Sequence, residues 1–296
     1  MYDVVILTDY RYEKPEKIDW YIQQVLTEDK LLQEELEKKG LKVCKKDWNS
    51  TNFNWTNTKH AIFRSTWDYF DRFNDFFAWL EKNKSKTNFI NSYELIKWNI
   101  DKIYLKELSE NGVNIAPTIF INKNEEITLD LLFNKTGWDD VVIKPAISGA
   151  ARDTFRINRE NYTDYNNIFN KLISNERFLF QEFLNNILTE GEISLILIGG
   201  KHTHAVRKIA KKGDFRVQDD HGGTVEIHKS TKEEISFAEG CVKLCPKKAT
   251  YARVDIIYDN HGNISLSELE LIEPELWFRN NNKAATLLAD EIFKLI

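Results

Sequence analysis

Residues 251–272 constrain this chain most. YARVDIIYD, a DNHGN turn and ISLSELELI read as two β-strands of one hairpin. Asp255 is embedded among Val254, Ile256 and Ile257. A carboxylate at such a position is costly unless it is paired or binds a cation. On the partner strand Glu268 and Glu270 are two residues apart and share one face. Glu273 and Glu275 follow at the strand end. Acids converging from adjacent strands repel, and a divalent cation removes that cost. Mg²⁺ suits the donors, because it takes one or two carboxylates and completes its shell with phosphate and water. For Glu268 and Glu270 alone the other reading is a solvated polar face.

Cations embedded in strands point the same way. Lys144 ends the apolar run VVI before Pro145, where an ammonium needs an anionic partner or a route to the surface. Arg207 ends the strand containing His204, Ala205 and Val206. Arg216 stands between Phe215 and Val217, and Arg253 shares a strand face with Asp255. Each alone reads as a structural ion pair. Grouped near one acid cluster, the four read as a polyphosphate site.

PAISGAARDT (145–154) follows a strand and is rich in small residues, including Ser148 and Gly149. Such side chains let backbone N–H groups approach a phosphate. His221–Gly222–Gly223 is a second turn of this kind, near Arg216. Neither G-x-x-x-x-G-K-[ST] nor G-x-G-x-x-G is present, so a P-loop and a dinucleotide fingerprint are not indicated. FLFQEFL (178–184) ends an apolar strand at a polar hinge, where free backbone groups can read an adenine edge and an acid shortly after can hold ribose hydroxyls.

Other chemistries score poorly. There is no G-x-S-x-G, and the histidines lack zinc spacing; His202 and His204 read as ordinary strand residues. Cys44, Cys241 and Cys245 do not make a disulfide framework, and the last two read as small helical hydrophobes. A net charge of -5 shows no basic excess for nucleic acid. No apolar run reaches the roughly 20 residues of a membrane helix, and MYDVVILTDY reads as a buried strand rather than a signal peptide. The expectation is a cytoplasmic protein without nucleic-acid or membrane partners.

With 296 residues, two or three lobes are expected. The order β-α-β-β-α-β over about 1–95 predicts a parallel α/β lobe. Helices are expected over 16–39 and 72–82. Residues 99–111 predict one helix ending at Gly112, followed by strands at 118–121 and 141–145. Gly199–Gly200 joins a second hairpin, and helices are expected at 128–135, 163–174, 231–245 and 282–295. The chain is thus α/β followed by an antiparallel α+β body.

In this order the pieces resemble the ATP-grasp superfamily, in the branch holding prokaryotic glutathione synthetase, the ribosomal-protein glutamate ligases and cycloserine synthase. FRSTWDYF (63–70) resembles the substrate-side lobe of cycloserine-synthase-like proteins, NSYELIKWNIDKIYLKEL (91–108) the entry helix, and VVIKP, PAISGAA and QEFL the nucleotide elements. RVDII and ELELIEP resemble the metal strands, with Glu270 where many relatives carry Asn. The resemblance implies units at 1–95 (pre-ATP-grasp), 96–183 and 184–296 (the two grasp lobes).

It further implies ATP contacts from Lys102, Lys144, Ser148, Gly149, Gln181, Glu182, Phe183, Leu184, Glu192 and Leu266. Asp255, Glu268 and Glu270 would hold two Mg²⁺, with Mn²⁺ as a substitute. Arg207, Arg216 and Arg253 would meet the transferring phosphoryl group. Arg64, Asp68 and Glu273 would face the substrate. The implied reaction is ADP-forming ligation of a small amino-acid-like carboxylate to an amine or other nucleophile through an acylphosphate, by joining two molecules or closing a ring. The loop at 145–154 would exclude water. The alternatives are a small-molecule kinase on the same scaffold and a nucleotide-binding protein without turnover. A homo-oligomer is compatible with the reading.

Overall fold

The computed structural model describes residues 1–149, 151–217 and 222–296. The first sheet is parallel, in the order β2-β1-β3-β4, from β1 (Tyr2–Thr8), β2 (Val43–Asp47), β3 (Thr58–Ser65) and β4 (Asn88–Ile90). Both neighbours of β1 are strands and both its faces are covered, which is why VVIL reads as a continuous apolar run. Short α1 (Tyr10–Glu13) follows β1, and α2 (Trp20–Lys38) starts where the Asp19 side chain accepts the Ile22 amide at 2.8 Å. That is four residues later than the apolar spacing predicts. α3 (Phe73–Asn83) covers the other face with Phe76, Trp79 and Leu80.

Of the helix predicted over 99–111 only α5 (Tyr104–Glu110) forms; it is preceded by a separate helix, α4 (Tyr93–Asn99), with Lys102 in the break between them. The Lys102 amide donates to the Ala146 carbonyl at 2.8 Å instead of to its own helix, and the Asp101 side chain accepts the Ile103 amide at 3.0 Å. Tertiary bonding to the 145–154 loop outweighs local helix propensity here.

The second sheet is antiparallel, β5-β8-β6-β7, from β5 (Thr118–Ile121), β6 (Asp140–Pro145), β7 (Phe155–Asn158) and β8 (Phe178–Glu182). α6 (Leu129–Thr136) and α7 (Tyr162–Ile173) close its outer face through Leu132, Phe133 and Phe169. β7 is a strand that the sequence reading did not anticipate: FRIN is short, and its pairing with Val141–Ile143 is not visible in local pattern.

The third sheet, β11-β10-β9-β12-β13, is antiparallel and built from β9 (Glu192–Ile198), β10 (Lys201–Ile209), β11 (Thr224–His228), β12 (Tyr251–Tyr258) and β13 (Ile264–Glu270). β11 was likewise unanticipated, because its alternate residues are exposed on an edge. Gly199 and Gly200, at φ 60° and 81°, make the tight turn between β9 and β10. α8 (Lys232–Lys243), begun by a Thr231–Glu234 capping box, covers one face together with α5. α9 (Asn282–Phe293) packs with α2 against Ile196, Ile198, Val206 and Tyr251 on the other face. That second face is apolar at one end and charged at the other, and the charged end looks into a cleft between the sheets. Among the described residues no helix is long and apolar enough to cross a membrane.

Candidate active site

Strand register explains why the late acids meet. Arg253 lies directly opposite Glu270, and Asp255 opposite Glu268, so alternation puts all four on one face. Lys208 on β10 pairs across to Glu192 on β9 and reaches the same face. The result is a cleft of about 510 Å³ whose walls include Lys102, Lys144, Ser148, Gly149, Glu192 and Lys208. Arg253, Asp255, Glu268 and Glu270 form its floor.

The charges are knitted together. Arg253 donates to Asp255 from Nε at 3.0 Å and from Nη2 at 2.9 Å, and also binds Glu270. Lys208 Nζ stands 3.1 Å from Glu192 and 3.3 Å from Asp255. Lys102 Nζ donates to the Ser148 carbonyl at 2.6 Å and lies 3.0 Å from Glu268. The Lys144 side chain makes no hydrogen bond or ion pair with any described residue. Burial pushes its ammonium below the ordinary lysine range, with Glu268 pulling back and Lys102 adding to the depression.

Burial also raises the Asp255 carboxyl, but Arg253 and Lys208 outweigh it and bring it down to about 2. Glu268 is lowered too, since Lys102 and Lys144 prevail over burial. Glu270 is lifted to about 7 by burial together with Glu268 and Asp255, against the pull of Arg253. Burial lifts Glu192 as well, opposed by Lys208.

The expected metal triad is thus not assembled as a cage. Asp255 and Glu270 close on Arg253 and Glu268 on Lys102, and among the described residues no group of three or more acids, histidines or cysteines is spaced to hold an ion. The donor set still fits a hard divalent cation: carboxylates in register on adjacent strands, neutralised by cations whose charge another cation can replace.

At one end the cleft is apolar, with Val142, Phe183, Leu184 and Ile257 on its walls. The hinge amides of Glu182 and Phe183 are taken by the carbonyls of Pro117 and Asp140, at 2.9 and 3.0 Å, whereas the Leu184 amide donates to no described residue. Gln181 lines this end and donates to Thr118 at 2.9 Å. Arg216 lines the cleft and bonds Asp214 at 2.7 Å. Ala150 and His221 lie outside the described residues.

The opposite end belongs to α1, the start of α2 and the segment after β3. Arg11, Tyr12, Tyr21, Trp67, Tyr69 and Phe70 line it together with Glu273. The Trp67 indole N–H donates to the Glu273 carbonyl at 2.9 Å. Burial, with Glu270 and Glu268 adding to it, lifts the Glu273 carboxyl to about 8. Trp277, a non-glycine residue at φ 46° and ψ 45°, sits where the cleft turns toward this end. Such a conformation costs roughly 1–3 kcal/mol unless its surroundings enforce it.

Four sequence expectations are corrected. Arg207 is not on the cleft wall: it stands on the opposite face of β10 from Lys208 and donates to the Glu190 carbonyl at 3.0 Å. Arg64 is buried in the seam between α2 and the C-terminal segment, bound to Glu28 and flanked by the rings of Tyr251 and Phe278. Asp68 is turned inward to accept the Trp48 indole N–H at 2.7 Å. Leu266 is fully buried in the core beneath the sheet rather than lining the cleft. Sequence reasoning missed Lys208, which its two-residue spacing from buried Val206 could have revealed. It also missed Arg11, Tyr12 and Trp277, for which no local signal exists.

Two family models match in sequence order. Residues 4–91 match the N-terminal domain of D-cycloserine synthetase DcsG, and residues 101–274 match the ATP-grasp domain of prokaryotic glutathione synthetase. Among curated proteins, the cycloserine biosynthesis protein DcsG of Streptomyces lavendulae is 25% identical over 249 residues, which is 79% of this chain and 81% of that protein. A probable alpha-L-glutamate ligase of Trichodesmium erythraeum is 25% identical over 170 residues, 55% of this chain and 53% of the other. Among solved structures, D-cycloserine synthetase DcsG superposes with a TM-score of 0.87 at 21% identity, with 99% of both chains covered. D-alanine–D-alanine ligase from Bacillus anthracis gives 0.68 at 15%, covering 99% of this chain and 97% of that one.

Proposed function

The chain belongs to the ATP-grasp ligase family, and from that premise we propose that it activates the carboxylate of a small amino-acid-like substrate as an acylphosphate and lets a nitrogen nucleophile displace phosphate. Ring closure is the version favoured by the match of residues 4–91 to a cycloserine synthetase domain. On this reading residues 1–95 form the substrate-side unit, and 96–183 with 184–296 close on the nucleotide.

The observation that carries the proposal is the pairing of cations with acids on the cleft floor. Lys102, Lys144, Lys208 and Arg253 stand there among Glu192, Asp255, Glu268 and Glu270, and three of the four cations are ion-paired to these acids. Magnesium with ATP brings charge of both signs to a floor whose cations and acids are already largely paired with one another, so binding exchanges ion pairs instead of burying an unpaired charge. Asp255, Glu268 and Glu270 would hold Mg²⁺, which supplies neutralisation of the β- and γ-phosphates.

This chain's own groups do the rest. Lys144, whose side chain has no partner among the described residues, takes a phosphate oxygen, and Lys102 anchors the 145–154 loop over the phosphates through the Ser148 carbonyl. Val142, Phe183 and Leu184 sandwich the base, with the Leu184 amide free to donate to it. Arg253 steadies charge developing on the phosphoryl oxygens between nucleotide and substrate, with Arg216 at the rim. The aromatic end excludes water from a labile acylphosphate.

The test is a coupled ADP-release screen over amino acids and small carboxylates with Mg·ATP, followed by mass spectrometry. Free phosphate and a dehydrated or joined product support the ligase. Phosphate retained on the product establishes a kinase instead. Mg·ATP binding without ADP across the panel leaves a nucleotide-binding protein.

A further inference from the structure

α2 is an amphipathic helix, yet at its centre it buries a carboxylate, Glu28, which is 5% exposed. An isolated buried charge is unfavourable, and Glu28 is not isolated. It binds Arg64, accepts the Leu276 amide at 2.7 Å and accepts the Phe278 amide at 3.3 Å. These two amides flank one residue, Trp277, in the left-handed conformation that side-chain-bearing residues avoid. His204 fixes the same turn from the sheet side, through a hydrogen bond between its Nε2 and the Leu276 carbonyl at 2.9 Å.

The clamped turn sets where the indole goes. The Trp277 ring is 2% exposed, and the Arg253 guanidinium carbon lies 5.2 Å from its centroid. Arg253 in turn holds Asp255 and Glu270. A continuous set of contacts therefore runs from a helix of the first lobe to the guanidinium on the cleft floor.

We propose that Glu28 is a positioning residue for the ligase centre: by clamping the amides on both sides of Trp277 it enforces the left-handed turn that lays the indole against Arg253. This rests on the cleft being a ligase site, as proposed above. Glu28 touches neither nucleotide nor substrate, and it acts only through Trp277.

A double-mutant cycle separates this role from a plain tie between lobes. Glycine adopts the left-handed turn without strain, so W277G no longer needs the clamp. We expect E28Q to lower kcat for ADP release tenfold or more, with the KM for Mg·ATP within threefold, because Lys102 and Lys144 are untouched. In the W277G background, E28Q is expected to cost less than twofold. Full kcat in E28Q, or an equal loss in both backgrounds, overturns the proposal.

The emission difference between wild type and W277G reports the indole's surroundings without any turnover, and the same difference taken in the E28Q background is expected to shift. Should the wild type release no ADP from Mg·ATP with a mixed D- and L-amino-acid panel, the ligase reading fails. An unchanged emission difference in E28Q then overturns the clamp on its own.

Discussion

Lys102 Nζ lies 3.0 Å from a Glu268 carboxylate oxygen, so a residue from a break between two early helices forms an ion pair with the last strand of the third sheet. The same ammonium donates to the Ser148 carbonyl. One lysine thus ties the acid floor to the loop above it, and removing Glu268 leaves that ammonium with the loop alone. Glu268→Gln is expected to reduce ADP formation by about 100-fold or more while the fold survives, since the amide keeps the shape and loses the charge. Full turnover in this variant, with unchanged circular dichroism, defeats the metal and phosphate assignment of the floor.

Lys144 makes the opposite prediction for the free and the bound protein. Its depressed pKa means that the unfolded chain holds this proton more tightly than the folded one. Stability of the free protein therefore rises with pH through the window below the ordinary lysine value of 10.5. Lys144→Met is expected to flatten that rise and to raise the melting temperature near neutral pH. It is also expected to weaken Mg·ATP binding by about tenfold, as loss of a charge-assisted bond would. Melting curves against pH and calorimetry check the two halves separately.

Glu273 gives a pH dependence of the other sign. Its carboxyl is lifted from 4.5 to about 8, so the folded state binds the extra proton between those values and loses stability as pH rises through the window. Glu273→Gln is expected to remove this decline, making the variant relatively more stable at pH 8 than at pH 5. Parallel curves for variant and wild type would show that the carboxyl is not held protonated.

The neighbouring cations on β10 are expected to differ sharply. Arg207→Ala changes ADP release by no more than about twofold, as for a residue on the outer face. Lys208→Ala leaves Glu192 and Asp255 without their shared partner, and breaking such a buried set costs about 3–5 kcal/mol. Denaturant unfolding and ADP release on the two variants decide between the faces, and equal activity losses would return Arg207 to the site.

The 145–154 loop seats against the first lobe. A Cβ on Gly149 would stand 2.5 Å from Phe70 Cε1 and 2.7 Å from Cδ1, too close for the loop to keep its place. Gly149→Ala is expected to slow ADP release about tenfold or more, as misplacement of an active-site element does, and adding Phe70→Leu is expected to restore much of it. Failure of the second change to help would show that the loop does not rest on Phe70 during turnover.

Much of this was readable in the linear chain. Buried strands declare themselves by apolar runs and alternation, so the parallel first sheet, both late hairpins and the helices on them follow from local pattern. Asp255 stood out because a carboxylate between Val254 and Ile256 has few inexpensive explanations. Glu268, Glu270 and Arg253 followed from the two-residue period. Short FRIN and edge-exposed TVEIH did not show as strands, since too few residues repeat to make a period.

What the sequence determined by itself is the set of elements and the acid-bearing hairpin, because secondary structure and strand faces are fixed by neighbours along the chain. The tertiary structure alone decided which charges meet. It started the 99–111 helix only at Tyr104 and sent the Lys102 amide to Ala146, turned Lys208 inward and Arg207 outward, drew Asp68 into the first lobe's interior and buried Arg64 in the seam between α2 and the C-terminal segment. It also clamped Trp277 from a helix some 250 residues earlier. Pairing energies fall off within a few ångströms, so partners distant in sequence are chosen by packing, which no local pattern records.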